Sequence, residues 1–361
     1  RSSGQGITVA SAAPVAVQGV QGIPGVVTDG GIGYAPSTWV LRDDLGGPVS
    51  DDDPCEFKIV VLQALFQTDL QRGIMAATDW LKPGSTQTVR CKGAALTLLG
   101  RHGGKSVTPV ILGVARSEPD LKLRARAIST LGAINDDTVI DALRDFALTS
   151  QENNIVEASL YALSKHTGER AIGVLSDIAT SGKTISHRKI AIASIAARPG
   201  EPAVDALFKI YDSDQNVEIR KAVISGFANR KSERAGNKLV EIARGSDSID
   251  LRKAAISSIS RRGGDKTIEF LLSLYDNERN EQLRDQIVSS LAAGTIYIGS
   301  ERVGFAQTGA TSRLNDQRVI DKLIQIARDQ QAPMERRKRV IGWLSRSKDP
   351  KVLAFLQELL K

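Results

Sequence analysis

One register of apolar residues recurs every 32 positions along most of this chain, and it restricts the fold more than any other feature. Leu99, Leu131, Leu163, Ile195, Phe227, Ile259 and Leu291 form one comb; Leu96, Ile128, Leu160, Ile192, Ile224, Ile256 and Val288 form another three residues earlier. Residues three and four apart share one face of an α-helix, so the two combs describe one helical stripe per unit. Ile140, Ile172, Val204 and Ile268, broken at Gly236, run with Leu143, Leu175, Leu207, Leu239 and Leu271 and mark a second helix. The unit is therefore helix A, a turn, helix B and another turn. Such units bury their apolar faces only against their neighbours, which predicts an all-α superhelix with an extended surface.

Turn chemistry agrees with this phase. Gly104, Asp136, Gly168, Gly200, Ser232, Gly264, Asp316 and Asp349 fall just before each helix B, and all are residue types suited to a helix N-cap. Acidic residues often follow (Asp137, Glu169, Glu201, Glu233, Asp265), where they complement the positive end of the helix dipole. Counting outward gives nine units over residues 55–361. The first is two residues longer than the rest. The eighth carries an insertion near 294–314, because Leu291 and Leu344 stand 53 apart instead of 32.

An Arg followed by apolar positions three, four and seven later, then a turn and a second amphipathic helix, runs through Ile219-Arg220-Lys221-Ala222-Val223-Ile224 with Phe227. Leu251-Arg252-Lys253-Ala254-Ala255-Ile256 with Ile259 repeats it. This pattern resembles HEAT repeats, in the short form of phycobilisome-lyase-type proteins, over roughly residues 56–361. The resemblance implies an α-α superhelix and a binding module. It also implies, less specifically, a lyase or chromophore-handling role, which would need a positioned acid or a reactive Cys.

Residues 1–54 differ in kind. They hold ten Gly and five Pro, short alternations such as Val15-Ala16-Val17, and Trp39-Val40-Leu41. Composition alone favours a flexible leader; the alternative is an extended arm lying along the superhelix or adding as a strand to a partner. The expectation is an arm in intermolecular contact, with Tyr34 and Trp39 as aromatic anchors. Inside the insertion, Thr295–Gly299 and Arg302–Phe305 read as two strand-like runs around Gly299-Ser300, a hairpin with Tyr297 and Phe305 as contact residues.

Net charge is +7, but residues 1–54 carry two basic and six acidic side chains, so the repeat body is near +11. A basic body can attract nucleic acid. The basic residues are regular: Lys58, Lys92, Arg124, Arg188, Arg220, Arg252, Arg284 and Arg337, with Val156 as the gap. They would suit a phosphate ladder. Each also sits three and four residues before buried positions, so the structural reading is preferred: stems over the apolar margin, heads bridging repeats. Helix B carries an opposed column, Asp141, Asp205, Glu269 and Asp321, read as a solvated face. Aromatics are not interleaved with these charges, as single-strand binders require.

Catalytic constellations are not evident. His102, His166 and His187 fall in different units, and no His-Glu pair occurs, unlike the metal-dependent hydroxylase branch of HEAT-like proteins. Walker and Rossmann glycine loops are missing. No catalytic residue, metal or cofactor is expected, and no run of residues is apolar enough to span a membrane. Cys55 and Cys91 occupy near-equivalent places at the starts of the first two helices A. Helix axes usually lie about 8–10 Å apart, so a bridge requires Cys55 to bend in from the loop, and pairing is left open. That possible disulfide, together with a first residue other than Met, suggests a periplasmic or extracellular protein; otherwise it is cytoplasmic. The function expected is a non-catalytic protein scaffold that forms a homo-oligomer or filament through its arm, with nucleic-acid binding as the alternative.

Overall fold

The computed structural model describes residues 54–230, 232–245, 248–292 and 313–360. The expected arm up to residue 53 and the insertion over 293–312, with Tyr34, Trp39, Tyr297 and Phe305, lie outside the described residues.

The first three repeats are α1 (Pro54–Thr68) with α2 (Leu70–Leu81), α3 (Val89–His102) with α4 (Thr108–Ser117), and α5 (Leu121–Leu131) with α6 (Val139–Thr149). The next three are α7 (Asn153–Lys165) with α8 (Glu169–Ser181), α9 (Ile185–Ala196) with α10 (Glu201–Ser213), and α11 (Val217–Ala228) with α12 (Glu233–Gly245). The last three are α13 (Ile249–Arg262) with α14 (Asp265–Asn277), α15 (Glu281–Ala292) with α16 (Gln317–Arg328), and α17 (Met334–Leu344) with α18 (Pro350–Glu358). The described residues contain no strand, and the nine pairs follow the 32-residue register.

Helices A start on side-chain caps: Asp120, Thr184, Asn216 and Ser248 each accept a hydrogen bond from a first-turn N–H. Before helix B, Gly200 and Gly264 turn the chain at φ 87° and 84°, a region that only Gly enters without strain. The second and third repeats depart from the expected caps. A 3₁₀ turn at Gly104–Val107 precedes α4, whose first turn holds Pro109. Pro is tolerated only in that first turn, so the α-helix begins at Thr108 and not after Gly104. Asp136 binds the Thr138 N–H at 3.1 Å and the hydroxyls of Thr138 and Thr108 at 2.8 and 2.9 Å, and α6 starts two residues later than expected.

Each helix A packs between the helices A of adjoining repeats and the helices B beside it; α9 touches α7, α11, α8 and α10. Two register positions make the seam with the preceding repeat. Cys91, Leu123, Ile155, His187, Ile219, Leu251 and Leu283 are buried at one of them. Ala95, Ala127, Ser159, Ala191, Val223, Ala255, Ile287 and Val340 are 0% exposed at the other. Each Leu or Ile so buried contributes about 1.5–3 kcal/mol. The small residues let backbones approach closely: a Cβ on Gly132 would lie 2.7 Å from the Ala162 Cα.

Candidate interaction surfaces

The ladder arginines lie near the start of successive helices A, and each turns its Nε–H back onto the preceding helix B. Arg124, Arg188, Arg220, Arg252, Arg284 and Arg337 donate to the carbonyls of Ala115, Ala179, Asp214, Ala243, Glu278 and Ala327 at 2.6–3.3 Å. Helix C-termini leave carbonyls unpaired and carry partial negative charge, so one cation answers both. Arg188 and Arg252 also reach forward to the carboxylates of Asp214 and Glu278, and Lys92 to Glu118 at 3.2 Å. Asp214 and Glu278 therefore hold one arginine by the side chain and the next by the main chain, tying two consecutive repeats. Burial pushes the Glu278 carboxyl up, but the Asn280 N–H and the Arg252 charge outweigh it and hold the group below the usual range. A phosphate arriving at this ladder would compete with bonds already made.

A second arginine column escaped the reading of the sequence. Arg198, Arg230 and Arg262 stand 32 apart at the ends of helices A. Arg198 is 5% exposed and donates to the carbonyls of Ser194, Leu163 and His166, each at 2.7 Å. Arg230 donates to Ile195 at 2.6 Å, and Arg262 to Phe227 and Ser232 at 3.1 Å. His166, 6% exposed, begins the column. Burial lowers the Arg198 pKa to about 10, so the guanidinium stays charged at neutral pH among carbonyls, which stand in for a counter-ion. The exact spacing of 198, 230 and 262 was the available signal; the absence of a paired acid hid its meaning.

The acidic column on helices B is also engaged. Arg170 meets Asp141 at 2.5 Å, Arg234 meets Asp205 at 2.8 Å, Arg318 meets Glu269 at 3.4 Å, and Lys351 meets Asp321. These pairs cross from one repeat to its neighbour but are solvated, so each is worth under about 1 kcal/mol. The last seam is different. Arg336 occupies the register place of Leu283, is 1% exposed, and binds Asp285 at 2.5 Å and Glu281 at 2.6 Å.

His187 is buried at the Leu123 register place, and His166 lies at the end of α7; burial lowers the pKa of both. His102 packs on Phe66 with ring centroids 5.5 Å apart. The structure brings none of the three together, and the described residues hold no group of His, Cys, Asp and Glu able to take a metal ion. Cys55 and Cys91 are joined, with Cα atoms 5.7 Å apart. Cys55 lies in the first turn of α1 and not in a loop. The bond links residues 36 apart where the repeat step is 34, so it runs diagonally where α1 and α3 converge.

A shallow depression on α12–α14 is lined by Arg244, Arg252, Asn277 and Glu278, but Arg252 and Glu278 already neutralise each other there. An apolar feature is open as well. On α1, Phe57, Val60 and Val61 are 74%, 54% and 44% exposed. Phe57 aligns with Cys91 and Val61 with Ala95, the two seam positions that every later repeat buries.

The family of HEAT repeats matches residues 74–164, 108–196, 172–258 and 204–292, which together cover more than half of the chain. No curated protein matches the sequence. Among solved structures, human deoxyhypusine hydroxylase is similar at 14% identity, over 66% of this chain and 96% of that one, with a TM-score of 0.29. The CpcE–CpcF complex of phycocyanin lyase from Nostoc sp. PCC7120 is similar at 13% identity, over 62% and 88%, with a TM-score of 0.34. The Escherichia coli protein YibA is similar at 15% identity, over 83% and 100%, with a TM-score of 0.36. The repeated matches agree with the nine helix pairs and their 32-residue seams: the chain belongs to the HEAT-repeat family.

Proposed function

We propose that this HEAT-repeat chain is a non-catalytic protein scaffold whose N-terminal residues 1–53 dock on a neighbouring subunit or partner. The observation that carries this reading is the use the fold makes of its polar side chains. Both arginine columns, the helix-B carboxylates and the Arg336 seam tie repeat to repeat, so the regular chemistry holds a curved frame. What is left open is surface, including the apolar face of the first repeat, and a segment of 53 residues attached beside it. Both cysteines of the chain are used in the Cys55–Cys91 bridge, which supports an oxidising compartment and leaves no thiol for lyase chemistry unless the bridge is reduced.

Light-scattering mass of the full chain against a version starting at Asp53 tests the docking. A full chain that assembles and a shortened one that stays monomeric supports it; equal masses for both sink self-assembly through the arm. The +11 body keeps nucleic acid as the competing ligand. A duplex affinity that collapses with added salt would favour it, whereas weak and salt-insensitive binding leaves the protein scaffold.

A further inference from the structure

Among the described residues, the first repeat lacks what every other repeat has, a neighbour on its N-terminal side. Phe57, Val60, Val61 and Ala64 follow one another at helical spacing on α1 and are all exposed. The register mates of Phe57 and Val61, Cys91 and Ala95, are buried, as are their equivalents in every later repeat, and Leu98, the mate of Ala64, is buried too. End repeats of a solenoid need a cover or a polar outer face. The last repeat shows a mixed face, with Leu353 of α18 and Leu360 just after it 53% and 89% exposed beside a polar row on α17. The places that in the interior reach the following repeat, as Lys253 reaches Gln282 at 2.7 Å, are held there by Lys338, Gly342 and Ser345, all exposed.

We propose that the apolar face of α1 is capped by the chain's own segment around Trp39-Val40-Leu41. Twelve residues separate Leu41 from Pro54, where α1 begins. A twelve-residue chain with random-coil dimensions spans roughly 20 Å, while Phe57 to Ala64 spans about 10 Å of helix. A ligand held at that range has an effective concentration in the millimolar region, above that of a second copy in dilute solution. Gly46-Gly47-Pro48 lies within the tether and is suited to the reversal that brings the segment back along α1. Asp51, Asp52 and Asp53 directly precede the helix, where acidic side chains favour the positive dipole end. Capping by residues 39–45 leaves residues 1–38 to reach a partner, so the inference stands apart from the scaffold reading: a chain that never assembles can still be capped.

Hydrogen exchange on the full chain tests it, with light-scattering mass recorded on the same samples. Backbone amides of residues 38–45 are expected to exchange about tenfold or more slowly than in an unstructured chain. Val61→Glu and Trp39→Ser each remove that protection, while helicity and the exchange of α5–α16 stay as they were. Protection is expected to be independent of protein concentration, whether or not the mass rises. The inference fails if residues 38–45 exchange freely in the unmodified chain, or if their protection survives in both variants. It fails too if protection appears only as the mass doubles, which would make a second copy the occupant. Trp39→Ser lies outside the helical repeats, so it decides the matter even if Val61→Glu disturbs α1.

Discussion

Phe57 in the first repeat and Leu123 in the third hold the same place in the register, yet one is 74% exposed and the other 0%. Nothing in the local sequence of either helix produces that difference. It arises because, among the described residues, the third repeat has a neighbour on its N-terminal side and the first does not. Burial in a solenoid is a property of the pair of repeats, and a residue's stabilising effect depends on its position in the array as much as on its type.

The contrast can be broken or sharpened by substitution. Leu123→Ala leaves a cavity in a closed seam and is expected to cost about 3–4 kcal/mol, read from denaturant unfolding. A loss below 1 kcal/mol would mean that the seam collapses around the gap and that interior and end differ less than their exposures say. Arg198→Ala comes next, at about 2–3 kcal/mol, because the carbonyls of Leu163 and His166 lose their donor inside the array. An Arg198→Lys variant that restores full stability would show that charge near the helix ends matters more than the guanidinium fork.

His187 sharpens the comparison from another side, since it stands at the Leu123 place in the fifth repeat. Its buried ring has a pKa below the ordinary value near 6.5, so the folded state binds a proton less readily than the unfolded chain. Stability is therefore expected to fall as pH drops below about 6.5 toward the folded pKa. His187→Leu should shrink the difference in Tm between pH 7 and pH 5; an unchanged difference would assign the acid sensitivity to other groups, His166 first. The smallest effect is expected at the first repeat, where a short tethered segment stands in for a whole neighbouring repeat and Phe57→Ser should change the stability of the repeats by under about 1 kcal/mol. A loss approaching that of Leu123→Ala would show that the first repeat is covered as completely as the interior.

Much of this molecule is legible in its sequence. The 32-residue spacing, the apolar stripes and most turn residues place the helices, because each of these is a local preference repeated in phase. Departures occur where a local rule competes with another, as at Pro109, which delays α4, and Asp136, whose carboxylate serves Thr108 and Thr138. The site is less legible. Arg188 and Arg198 look alike on the page, but one spans a solvent margin between helices B and the other sits among buried carbonyls of helices A.

By itself the sequence determined that the chain is a row of helix pairs and which face of each helix is apolar, since periodicity and burial are linked through the geometry of one helix. Only the tertiary structure decided what the charges do. The partners of Arg188, Arg198 and Arg336 lie 26, 35 and 51 residues away along the chain. Such partners are set by how one repeat stacks on the next. Among the described residues the same stacking ends at α1, where no repeat covers Phe57 and Val61.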